Sequence, residues 1–424
     1  MLQALRTNIP ASNHFALFLQ ANKHLISESH RKYIDYFQLQ ISSIKGFQNL
    51  FHIDGYSIQF LSEIMDMIND AKALNKEIAI PTEIDLNADT IIFNNMEGWG
   101  ADVIFEGIHK FIDFFNFKGK IIYSNSSFNI EDVYLNFCKR KNITPKIQCC
   151  YNGSPSLMAL ANGHYLLPKE IPAELPFEEK KLFCSFNWNS WEHRLAFTLL
   201  LHYYDLLKES YFTSPGILRF SKGTENDYYM YMNGSKEYID SYEDKDQIYN
   251  KASELQGKLP FTIDDRTKYT YPDEPLTIPE NKTPIYNCRI NSLIEVVMET
   301  KFFGEHMMTE KTFNPISLGK PFMVMSSANL LQSIRKIGFK TFSPYIDESY
   351  DKIEDNAARL RAIVNEIERI RKFRQDDPKG FKEWYKELQV IAQYNLELIT
   401  LIGIKQGNHC DDYGRWIRFM HVGI

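Results

Sequence analysis

Between Phe51 and Cys150 the apolar positions change period several times, and each change marks an element. Phe60, Ile64, Met67 and Ile68 fall at i, i+4, i+7 and i+8, the spacing of one helical face. E-I-A-I-P (Glu77–Pro81) reads as a short strand, and T-I-I-F-N-N (Thr90–Asn95) as a buried strand running into a loop. Ile104, Ile108, Phe111 and Phe115 return to helical spacing, and Lys120–Ser124 to a strand. Ile130, Val133, Tyr134, Phe137 and Cys138 mark the next helix, and Lys146–Cys150 the strand after it. Strands that alternate with helices predict a parallel sheet covered on both faces, a Rossmann-like domain. Residues 1–50 are mixed; their one readable element is a helix around Ala16–His24.

A Gly- and Pro-rich stretch, Tyr151–His164 with L-L-P-K-E-I-P-A-E-L-P just after it, reads as an inter-domain crossing. A second α/β pattern follows, with strand Lys181–Phe186, turn N-W-N-S and helix Glu192–Leu207. Residues 221–282 are polar and rich in Tyr, Asp and Lys, which predicts a surface insertion. The pattern resumes at Ser292, with apolar runs Leu293–Met298 and Pro321–Met325 on either side of a short helix. Asp351–Phe373 is a charged amphipathic helix. A last helix near Trp384–Ile402 is expected to pack back across the domain junction. The division is therefore 1–165, 166–385 and a C-terminal segment 386–424.

Length changes this picture little: 424 residues exceed what one core usually serves, so two domains are expected. Hydrophobic content of 44% and charged content of 24% are ordinary for a globular chain. A net charge of −6 argues against a wholly basic nucleic-acid binder, although a local basic groove would not show in it. Cys138, Cys149, Cys150, Cys184, Cys288 and Cys410 form no CxxC pair and read as buried reduced thiols. M-L-Q-A-L-R-T-N-I-P lacks the pattern of a signal peptide, and the apolar run Leu195–Leu207 is too short to span a bilayer. A cytoplasmic protein without a membrane span is the expectation.

Candidate chemistry narrows the reading further. There is no phosphate loop, no G-x-G-x-x-G turn and no H-E-x-x-H zinc helix in the sequence. One D-x-D, Asp244-Lys245-Asp246, lies in the polar insertion and reads as a solvated charge run, so no metal is expected. Two strand-turn-helix units carry more. Arg194 sits in the first turn after Lys181–Phe186, and Lys311, beside Glu310, starts the helix of M-T-E-K-T-F-N-P-I-S-L-G-K-P-F. A cation at a helix start opposes the dipole, and a bound anion would relieve that. Two such cations point to one diphosphate between them.

The pairing of F-C-S-F-N…R-L…L-L…Y-Y…S-P-G with T-E-K-T-F-N-P-I-S-L-G-K-P-F-M-V resembles the donor-binding domain of GT-B type glycosyltransferases. It is most similar to the α-1,3-fucosyltransferase family and its relatives in viruses and phages. The likeness covers Lys180–Gly216, Ser292–Met325 and the long helix after Asp351. It implies two Rossmann-like domains facing across a cleft and transfer of a sugar from a nucleotide-sugar to a hydroxyl, inverting and metal-independent. No cofactor beyond the nucleotide-sugar co-substrate is implied. In that family the corresponding residues hold the donor diphosphate, roles that fall here on Arg194 and Lys311, and the ribose, which falls on Glu310. Asn314 is a further candidate for lining the donor site. The acceptor is a glycan or, given the viral and phage relatives, a hydroxylated DNA base. The other class in play is a non-catalytic module that binds a nucleotide or glycan.

An inverting transfer needs a base for the acceptor proton. Glu97, in the Gly-rich loop N-N-M-E-G-W-G-A-D after Thr90–Asn95, is the first candidate, with Asp102 and Glu106 as alternatives. The ring of Trp99 nearby is placed to stack on an acceptor sugar.

Overall fold

In a computed structural model the described residues are 21–27, 40–44, 47–53, 61–79, 90–95, 101–125, 127–151, 173–187, 191–214, 235–259, 261 and 283–407. The chain divides into two compact units, one of Met1–Pro155 with Asn408–Ile424 and one of Ser156–Gly407.

The first unit contains β1 (Gln40–Ile44), β2 (Phe47–Ile53), α1 (Leu61–Ala73), β3 (Thr90–Asn95), α2 (Ala101–Phe115), β4 (Lys120–Asn125), α3 (Ile130–Lys141) and β5 (Ile147–Tyr151). Its sheet has the order β1-β2-β3-β4-β5, with β1 antiparallel to β2 and the other pairs parallel. From β2 onward the chain steps one strand at a time in one direction. Right-handed crossovers then put successive helices on the same face, and α1 packs on α2 and α2 on α3. Phe93, Ile104, Ile108, Phe111, Tyr123 and Phe137 are buried in the shared core. The Tyr134 hydroxyl fastens α3 to the sheet. It accepts from the amides of Lys146 at 2.7 Å and Ile147 at 3.0 Å and lies 3.1 Å from His109 Nε2.

The strand expected at Glu77–Pro81 is not formed over 77–79. The buried side chain of Asn22 takes both backbone groups of Ala79 instead, donating to its carbonyl at 2.7 Å and accepting from its amide at 2.9 Å. A side-chain amide thus satisfies a segment that an adjacent strand would otherwise have to pair.

The second unit contains β6 (Lys181–Phe186), α4 (Glu192–Tyr203), β7 (Ser210–Thr213), α5 (Lys245–Asn250), α6 (Ala252–Gln256), α7 (Thr283–Ile290), β8 (Ser292–Met298), α8 (Glu310–Ser317), β9 (Phe322–Met325), α9 (Leu330–Lys336), α10 (Asn356–Asp376) and α11 (Pro378–Gly407). The sheet is wholly parallel, in the order β7-β6-β8-β9. Every residue of β8 and β9 is buried, which is why neither shows a polar–apolar alternation, Glu295 being the one charged residue within β8. The helix expected over Glu192–Leu207 stops at Tyr203, because Asp205 takes the left-handed conformation and starts a short 3-10 turn.

Part of the segment predicted as a surface insertion is buried against the rest of the second unit. Tyr238, Ile239, Tyr242, Ile248 and Leu255 are buried, and α5 and α6 pack on α4. These positions fall in separate short helices and the bend between them, and the polar residues in between hid them. Residues 215–234, 260 and 262–282 lie outside the described set. The last helix opens at Pro378, where a missing amide costs nothing, and it packs on α8 and α10 within the second unit. Close approach explains Gly319: φ is +59°, and a Cβ there would meet Leu396 Cδ2 at 3.2 Å.

Candidate functional site

The strand order of the second unit sets where a ligand can enter. From β6 the chain passes through α4 to β7 on one side, and from β8 through α8 to β9 on the other. The direction reverses between the adjacent strands β6 and β8. In open parallel sheets the crevice outside the carboxyl ends of such a pair is the ligand site. The segments after Phe186 and after Met298 flank it, and they carry the charged residues picked out in the sequence.

Arg194 is 1% exposed. Its Nη1 donates to Asn187 Oδ1 at 3.1 Å, and its Nη2 to the carbonyls of Met298 at 3.0 Å and Glu299 at 2.9 Å. A guanidinium from the start of α4 therefore closes the carboxyl end of β8. Those carbonyls, and not an anion alone, offset the cost of a cation at a helix start. Burial pushes its pKa down to about 10, against the pull of Glu299 and Glu310, so it stays charged near neutrality. Arg194 Nε is buried and has no partner among the described residues.

Glu299 is the residue on which both units of the motif converge. It is fully buried. Its carbonyl takes Arg194, and its carboxylate takes three donors from the T-E-K-T segment. Oε1 accepts from the Thr309 amide at 2.9 Å and Thr312 Oγ1 at 2.6 Å, and Oε2 from Thr309 Oγ1 at 2.7 Å. Thr309 is the N-cap of α8, accepting from the Lys311 amide at 3.3 Å. Lys311 Nζ donates to the same hydroxyl at 3.2 Å and pairs with Glu310 Oε1 at 2.9 Å. Glu310 is half-exposed and Lys311 partly so.

The loop between β8 and α8 is held from several sides. Ser326 Oγ donates to the Lys301 carbonyl and Ser327 Oγ to that of Glu305, each at 3.0 Å. The buried Arg359 donates to the carbonyls of Phe302 and Ser326, and its guanidinium lies 4.5 Å from the Phe302 ring centre. On that ring His193 stacks at 5.0 Å with an interplanar angle of 6°. Burial, with Arg194 beside it, holds the His193 imidazole well below its ordinary range. His193 is thus a neutral packing ring. The Ser326 and Ser327 hydroxyls are committed to the loop.

Beneath this region lies a second polar group. Arg289 pairs in a bidentate manner with Glu295 on β8, at 2.9–3.2 Å. Lys320 donates to the carbonyls of Arg289, at 2.6 Å, and Ser292, and burial pushes its pKa down to about 8. These groups bond one another under the sheet.

Arg194 and the Thr309–Lys311 segment, with Glu310 in it, are thus linked through Glu299 at the carboxyl end of β8. Asn314 is partly exposed on α8, one turn after Lys311. Ser317 Oγ returns to the Phe313 carbonyl at 2.9 Å. Glu97 and Trp99 lie outside the described residues. Asp102 pairs with Arg140 at 2.6 Å, and Glu106 with Lys110 at 3.0 Å and Lys141 at 3.4 Å. The Lys110 hydrogen bond leads the effects that hold the Glu106 carboxyl below its usual range, the wrong direction for a base working near neutrality. Asp244 and Asp246 open α5 and not a strand end. No group of three metal-ligating side chains occurs among the described residues, and no helix among them is long and apolar enough to cross a membrane. Sequence reasoning missed Glu299, although its signal was present: a carboxylate directly after an all-apolar strand end, V-V-M-E-T.

No protein-family model matches the chain, and no curated protein matches it either.

Proposed function

We propose that the chain is a nucleotide-sugar-dependent glycosyltransferase of GT-B type, with its donor site in the second unit. The two units would be its two Rossmann-like domains. The observation that supports this best is the convergence on Glu299. Arg194, from the β6 side, and the T-E-K helix, from the β8 side, are tied to one residue at the reversal of strand order. A diphosphate leaving group needs preorganised positive charge where its own charge develops. Lys311 supplies the accessible charge and Arg194 the buried one, while Glu310 orients the ribose. Transfer to the acceptor hydroxyl is inverting and uses a base from the first unit, with Glu97 the candidate.

In this reading the two cations neutralise the diphosphate, so transfer should survive chelation. Nucleoside diphosphate release from GDP-, UDP-, CDP- and ADP-sugars is the assay, run with glycan and with hydroxymethylated DNA acceptors. At least one donor should turn over at an unchanged rate in EDTA. Turnover abolished by EDTA and restored by manganese or magnesium would overturn the metal-independent mechanism. No turnover of any donor, with nucleotide binding intact, would favour a binding module.

A further inference from the structure

We propose that Glu299 is a positioning residue that aims the Lys311 ammonium through the Thr309 hydroxyl. This rests on the diphosphate reading of the site. The geometry that carries it is the saturation of Thr309 Oγ1. A threonine hydroxyl has one proton to donate and two lone pairs to accept with. The proton goes to Glu299 Oε2 at 2.7 Å, and the lone pairs receive the Lys311 amide at 3.3 Å and Lys311 Nζ at 3.2 Å. Because a carboxylate only accepts, it fixes the sense of this chain. The hydroxyl must point its proton inward and its lone pairs toward Lys311. The same carboxylate also takes the Thr309 amide and Thr312 Oγ1, so it cannot turn away without orphaning buried donors.

An amide at position 299 would break the sense of the chain. Glu299→Gln keeps the volume and leaves one oxygen for the Thr309 amide and Thr312. Its –NH2 then faces Thr309 Oγ1, which must turn a lone pair inward and give up a bond to Lys311. Meanwhile the Glu299 carbonyl still holds Arg194. The role of the carboxylate is therefore separable from the closure of the β8 end. It sets the direction of one accessible cation relative to a buried one that is fixed independently.

The test uses the full chain and whichever of GDP, UDP, ADP and CDP it binds most tightly, followed by calorimetry. Thr309→Val removes the hydroxyl at nearly constant shape and should weaken binding about tenfold, the worth of one charge-assisted hydrogen bond. Thr309→Ser should restore the wild-type affinity, and Glu299→Gln should match Thr309→Val. In a Lys311→Ala background, Thr309→Val should add nothing, because its effect passes through Lys311. A merely structural role would still lower affinity in that background. If Thr309→Val binds like wild type, or its effect adds to that of Lys311→Ala, the positioning role is overturned while the diphosphate reading stands. If Lys311→Ala itself leaves affinity unchanged, the diphosphate reading fails and this inference fails with it.

Discussion

Arg194→Ala is expected to lower the free energy of unfolding by about 3–5 kcal/mol, a loss much larger than a surface site would show. The guanidinium is 1% exposed and bonds the carbonyls of Met298 and Glu299 together with Asn187 Oδ1. Truncation leaves buried carbonyls unpaired, at about 1–3 kcal/mol each, and a cavity beside them. Lys311→Ala should differ sharply. Its ammonium is partly exposed and bonds Thr309 and Glu310, so its stability cost should stay within about 1 kcal/mol. Denaturant midpoints of the two variants measure the contrast directly. Equal midpoints would mean that the Arg194 bonds contribute little to the closure of the β8 end. Burial of Arg194, which its place at a helix start does not reveal in the sequence, is what separates the two variants.

Glu97→Gln should slow transfer by about 10²–10⁴-fold while leaving nucleoside diphosphate affinity nearly unchanged. The substitution keeps size and hydrogen-bonding capacity and removes only the proton acceptor. Its motive is position: the residue follows β3 in a Gly-rich stretch, and the two nearby alternatives on α2 are engaged. Asp102 pairs with Arg140, and Glu106 is shared between Lys110 and Lys141. Single-turnover rates and donor titrations on the same preparation separate the two effects. Normal turnover would pass the role to another group. Lost donor binding would place Glu97 in the nucleotide-sugar site.

The helices and strands with undiluted periodicity were readable from the chain. Lys181–Phe186 and Thr90–Asn95 have the bounds their apolar runs predict, and α2 buries Ile104, Ile108 and Phe111 as their spacing requires. What stayed hidden depends on contacts distant in sequence. Ala79 is not in a strand because Asn22, 57 positions away, takes its backbone groups. The strand β7, four residues long, is too short for a period to show. Tyr238 and Tyr242 are buried inside a stretch whose polar average masked short helices and the turn between them. The candidate site divides along the same line. Arg194, Glu310 and Lys311 were visible as charges at element boundaries. Glu299 acquires its meaning only when β8 and α8 bring Thr309 and Thr312 onto its carboxylate.

Calorimetric titration of the wild type and of Lys311→Ala with GDP, UDP, CDP and ADP tests the central claim most directly. Lys311→Ala removes charge from the accessible side of the crevice without opening the buried closure at Arg194. One of the four nucleotides should bind the wild type, and the variant should bind it about ten- to a hundredfold more weakly, as loss of a charge-assisted bond requires. The absence of binding by all four, or equal affinity in the two proteins, would contradict a diphosphate site at the ends of β6 and β8.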